Sequence, residues 1–101
     1  MAYFAELGTD HSTVMRVISI SNDTLGEPDL TFPETEAIGQ SFIANVLGLP
    51  GLWKQTSFNN SFRKRFASVG YRYEHAQDEF VPPGWELVDG EWIAPAEAVT
   101  E

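Results

Sequence analysis

The chain has no cysteine, only two histidines (His11 and His75), and 6 lysines and arginines set against 15 aspartates and glutamates. Without thiols, disulfide staples and thiolate metal sites are excluded, and a chain this small must find extra stability in packing or in a partner. The histidines stand in no metal-ligand or triad spacing, and His75, beside Glu74 in an expected turn, reads as solvated. No GxxxxGK or GxGxxG occurs, because the glycines at 48 and 51 frame a proline. The acids are scattered, so no paired-carboxylate site follows from spacing. The expectation is a non-enzyme with no catalytic residue, no cofactor and no metal. No run approaches the roughly 20 apolar residues of a membrane span. The opening Met-Ala-Tyr-Phe-Ala-Glu lacks the basic region and apolar run of a signal peptide, which predicts synthesis in the cytoplasm and no membrane partner.

What is present points to one folded body. At 101 residues the chain fits a single domain, which can bury about two-thirds of the surface its unfolded form exposes. Hydrophobic residues make up 43% and charged residues 21%, ordinary globular usage despite the net charge of -9. The expected domain spans 1–95, followed by a tail over 96–101 without periodicity.

Residues 2–7 and 13–20 alternate in the period of a strand, and the turn-forming Gly8-Thr9-Asp10-His11-Ser12 between them predicts an antiparallel hairpin. Asn22, Asp23, Gly26 and Pro28 mark a loop over 21–30. A helix is expected over 34–47, with Pro33 in its first turn, Glu34 and Glu36 at the positive end of the dipole, and Gly48 past the last turn. Ile38, Phe42 and Val46, widened by Ile43 and Leu47, form its apolar stripe. That stripe should pack on the sheet, since the polar face has no Lys or Arg to meet lipid. Residues 52–57 have strand composition, and 58–61 form a polar loop holding one aromatic.

From Gly70 a pattern of Gly, aromatic, polar, apolar, turn, Glu, aromatic, aliphatic and Pro runs to Pro82, and it starts again from Gly84 to Pro95. Two successive β-hairpins satisfy it. Asp89-Gly90 is the strongest turn signal in the chain, because a type I′ turn needs positive φ at both central residues. Prolines 82, 83 and 95 end strands by removing donors. The fold class is therefore α+β: a small antiparallel sheet from the N-terminal and C-terminal hairpins, packed with one amphipathic helix.

Charge is unevenly placed. Lys54, Arg63, Lys64, Arg65 and Arg72 are five of the six cations, and residues 54–72 contain no acid. Together with Trp53, Phe58, Phe62, Tyr71, Trp85 and Trp92 they form the candidate partner-binding set, since Trp, Tyr and Arg dominate protein hot spots. The competing readings are a solvated face for the cations and core packing for the rings. Basic residues interleaved with Phe62, Phe66 and Tyr71 also suit single-stranded nucleic acid. A sequence pI near 4.5 argues against a polyanion, and an acidic protein surface fits better. As exposed cations, Arg63 and Arg65 are expected to tolerate charge reversal without harm to the fold.

The stretch Trp53-Lys54-Gln55-Thr56-Ser57-Phe58-Asn59, then Phe62-Arg63-Lys64, Gly70-Tyr71-Arg72-Tyr73, Phe80-Val81-Pro82-Pro83 and the tryptophans at 85 and 92 resembles a family of small proteins encoded by marine tailed bacteriophages and cyanophages. The resemblance runs over nearly the whole chain. Phe58 and Phe66 stand where that family's pattern has tyrosine, and the segment between Pro83 and Trp85 is shorter. The resemblance implies an accessory structural protein of the virion. The expected function is a capsid decoration or cement protein binding neighbouring capsid subunits, many weak copies adding up by multivalency. The alternative is a tail, fibre or host-attachment component with a carbohydrate- or receptor-binding face. Viral capsid or tail proteins, and further copies of the chain, are the expected partners.

Overall fold

A computed structural model describes residues 2–21 and 32–94. All but Ser21 of the loop expected over 21–30, the strand-ending role of Pro95 and the tail at 96–101 lie outside the described residues. In chain order the elements are β1 (Ala2–Leu7), β2 (Val14–Ile20), helix α1 (Glu34–Asn45), β3 (Leu52–Thr56), β4 (Arg72–Glu74), β5 (Glu79–Val81), β6 (Glu86–Val88) and β7 (Glu91–Ile93). The protein is an α+β domain of small antiparallel sheets with one helix.

The main sheet has the order β2-β1-β3, every pair antiparallel. Period-two alternation along β1 would leave one face wet if only one layer covered the sheet. Both faces are covered instead. Phe4 and Ala2 turn to one side, where Ile20, Trp53 and Ile43 of α1 close a first core. Ala5 and Leu7 turn to the other, where Val14, Ala67, Tyr73 and Phe80 close a second. Burying side chains such as Phe4, Ile43 and Phe80 completely stabilises by about 1.5–3 kcal/mol each. Helix and sheet approach closely at one point, for a Cβ on Gly39 would stand 2.0 Å from Cζ of Phe4. Only glycine leaves room for that ring.

The helix is shorter than its apolar spacing predicts. Its path breaks after Asn45, where the N–H groups of Val46 and Leu47 both donate to the Phe42 carbonyl, at 2.9 and 3.1 Å, and Gly48 takes φ 69. Ile38, Phe42 and Ile43 pack on the sheet. Val46 and Leu47 do not, being 68% and 45% exposed, because they follow the last helical turn.

The edges of the main sheet are treated differently. Along β3, the Trp53 carbonyl accepts from Nε2 of Gln40 at 2.6 Å, the Gln55 N–H donates to Oε2 of Glu36 at 2.8 Å, and the Gln55 carbonyl accepts from Nη1 of Arg63 at 3.0 Å. Side chains thus occupy the row of groups that an edge strand otherwise leaves open. At the start of β2 the chain from Gly70 to Tyr73 runs alongside, with Val14 N–H to Tyr71 O at 2.7 Å and Gly70 N–H to Val14 O at 2.9 Å.

The expected repeat is a pair of hairpins in matching register. Tyr73 faces Phe80 in β4–β5, and Leu87 faces Trp92 in β6–β7. Asp89 and Gly90 take φ 51 and 84, as a type I′ turn requires.

Candidate functional site

Most of the cations of residues 54–72 are paired within the fold or stacked on its rings. Arg63 was expected on a docking face, but its side chain is only 6% exposed. Its guanidinium donates to both oxygens of Glu36 on α1, to Oδ1 of Asp78 at 2.7 Å and to the Gln55 carbonyl, and it lies over the rings of Phe32 and Tyr73 at 4.8 and 5.3 Å. One side chain thereby ties the helix, the edge of β3 and the first C-terminal hairpin together. The Tyr73 hydroxyl completes the group by donating to Asp78, and Thr35 donates to the Gln55 amide oxygen at 2.8 Å. The expectation that charge reversal at Arg63 would spare the fold is corrected: a buried cation with two carboxylate partners cannot be replaced by an acid.

Burial and mutual contact set the ionisation of this group. Burial works against the Arg63 charge, yet hydrogen bonds to Glu36 and Asp78 outweigh it and raise the pKa further. Burial also pushes the Asp78 carboxyl up, but the Tyr73 hydroxyl and Arg63 together hold it below its ordinary value. The Tyr73 phenol is driven up to about 12, by burial first and then by the hydrogen bond it gives to Asp78.

Arg65 pairs with Glu79 at 2.9 Å and lies 4.6 Å over the Trp85 ring; Arg72 pairs with Glu74 at 3.0 Å and lies 5.1 Å over Trp92. These two stacks, with a 3.4 Å hydrogen bond from Nε1 of Trp92 to Gln77, dock the second hairpin on the body. Lys54 places its ammonium 5.3 Å over Tyr73. Of the five cations only Lys64 is exposed with no side-chain partner among the described residues. It stands at the tip of a three-residue turn closed by Arg65 N–H to Arg63 O at 2.7 Å, with φ 67.

The aromatic candidates divide three ways. Trp53 is core, 3% exposed, with Arg16 over its ring at 5.3 Å. Tyr71 packs at the margin of the second core, and Phe62 stacks on Phe32 with centroids 4.0 Å apart. Phe58 stands out at 70% exposed. It stacks on Tyr3 at 5.7 Å and meets Phe66 edge-on at 5.6 Å, while Tyr3 and Phe66 meet at 5.3 Å. The loop behind it is fixed by the Ser57 hydroxyl, which bonds Asn59 at 2.7 Å and accepts the Ser61 N–H at 2.9 Å, and by the Phe66 N–H, which donates to Asn60 at 2.8 Å. A large apolar ring is thus held outward on a rigid base, the form of an interface anchor.

Reasoning from sequence missed Tyr3 as the partner of Phe58, and Glu36 and Asp78 as the partners of Arg63. It also missed an open groove of about 850 Å³ at one end of the sheet, walled by Leu7, Met15 and Leu52. The carboxylates there are already engaged. Glu6 pairs with Arg16 at 2.7 Å, and the Thr13 hydroxyl with the Thr13 and Ser12 amides holds the Asp10 carboxyl down to about 2. His75 is exposed and bonds the His11 carbonyl at 2.7 Å. Among the described residues no group of three or more His, Asp or Glu gathers at metal-binding distance, and no helix is long and apolar enough to cross a membrane.

Set beside protein-family models, curated proteins and solved structures, the chain finds no match.

Proposed function

We propose that this protein is a structural part of a virus particle, most simply a decoration protein that docks on neighbouring capsid subunits without chemistry of its own. The sequence resemblance supports the virion assignment. The observation that supports docking is Phe58, 70% exposed yet braced by Tyr3 and Phe66, since a rigid exposed ring loses little freedom on binding. Mass-spectrometric quantification of purified particles tests the assignment: many copies per particle are expected for a head protein, few for a tail part, and none would refute it. Phe58→Ala should weaken attachment by about 2 kcal/mol or more, while the isolated protein keeps its stability within about 0.5 kcal/mol.

A second reading has one observation in its favour. Asn59, Asn60 and Ser61 follow Phe58 in the same exposed loop, and an exposed ring in a loop of amides and hydroxyls also suits the apolar face of a sugar. A host-attachment component of the tail would use it so. Binding on a glycan array that disappears in Phe58→Ala would favour this reading over decoration.

A further inference from the structure

The hairpin β6–β7 shows two unlike faces. Register places Leu87 and Trp92 on one side, and Glu86, Ile93, Val88 and Glu91 on the other. Of the first side, Trp92 is held to the body by the Arg72 stack. Strand alternation turns the second side away from that stack; Val88 and Ile93 there are 47% and 46% exposed, and Leu87 of the first side is 46% exposed as well. Residues 84–94 contain Glu86, Asp89 and Glu91 and no Lys, Arg or His. Neither glutamate of this face forms an ion pair among the described residues. Arg65 and Arg72 are spent on Glu79, Glu74 and the indoles, and Lys64, which borders a small pocket together with Glu91 and Trp92, pairs with neither glutamate.

We propose that this outer face is a second docking surface, and that its partner is a protein surface presenting Lys or Arg side chains around an apolar patch. Alternating carboxylates and aliphatics match such a surface in both respects: the ammonium or guanidinium heads meet Glu86 and Glu91, and the apolar patch covers Val88 and Ile93. The sign of the charge is opposite to the one that the basic band over residues 54–72 suggests, because Arg63, Arg65 and Arg72 of that band are paired within the fold. This inference rests on the virion reading for its partner and supplies that partner's chemistry.

The test uses virus particles purified from a deletion mutant lacking this gene, with purified full chain added back and bound protein measured across a salt series. Glu86→Lys combined with Glu91→Lys should weaken binding about tenfold or more at low salt, with the gap narrowing as salt screens the charges. Val88→Ser with Ile93→Ser should weaken it at every salt concentration. Near-UV circular dichroism of Trp85 and Trp92 reports whether the hairpin stays docked, and Glu86→Gln with Glu91→Gln replaces the reversal if it does not. Unchanged affinity in either pair, on particles that bind the unaltered chain, overturns the proposal and leaves the virion reading intact. Failure of the unaltered chain to bind overturns both.

Discussion

The two C-terminal hairpins repeat one pattern and end in opposite surroundings. Tyr73 and Phe80 of the first are 4% and 0% exposed, and β5 is buried throughout. Every residue of β6, in the second, is exposed. The cross-strand pairs correspond one for one, so the local pattern specifies a hairpin and says nothing of its depth. Depth follows from what each copy carries in addition. The first brings Asp78 to the Arg63–Glu36 pair and seats Phe80 against β1, whereas the second has Glu86 where the first has Arg72 and rests on the body through two arginine–indole stacks.

Four perturbations break or sharpen that contrast. Phe80→Ala should cost about 3–5 kcal/mol in urea denaturation, the loss expected when a fully buried aromatic leaves a cavity. Arg63→Ala should cost about 3 kcal/mol, because Glu36 and Asp78 lose their counterion in a desolvated place; methyl NMR signals from Ile43 in the first core and Val14 in the second should both shift, since the arginine joins the helix to the first C-terminal hairpin. Tyr73→Phe should cost about 1 kcal/mol at neutral pH for the lost hydrogen bond. Its clearer signature is in alkali. The Tyr73 phenol ionises at about 12 in the folded protein and lower when unfolded, so the native stability it supports is complete below the unfolded value and lost as pH rises through the folded one. Tyr73→Phe removes that alkaline loss from stability-versus-pH curves. For Asp78 the sign is reversed: its lowered pKa stabilises the fold above the ordinary carboxylate range, and that contribution fades as acid protonates it. Trp92→Ala has the smallest effect, about 1 kcal/mol or less, the value of a half-exposed arginine–indole stack. Amide exchange should quicken in residues 86–93 and stay slow in β4–β5.

Much of this architecture is legible along the chain. The N-terminal hairpin, the helix start at Pro33-Glu34, the strand after Gly51 and both C-terminal hairpins follow from short-range signals such as Asp89-Gly90. The helix end is missed because Val46 and Leu47 continue the apolar spacing after the backbone has left the helix. Candidate residues fare unevenly. Phe58 stands exposed as a docking ring would, but Trp53 and Arg63 are interior. No local rule could show it: Arg63 meets Glu36 27 positions away, and a run of cations looks the same in sequence whether it is solvated or paired across the fold. The two-faced character of β6–β7, in contrast, can be read from residues 86–93 once the register is known.

The stoppered edge of β3 has a further consequence. A sheet recruits stray polypeptide through spare amide and carbonyl groups, and on this flank Gln40, Glu36 and Arg63 have already taken them. Crowded copies therefore cannot fuse into a ribbon along that flank.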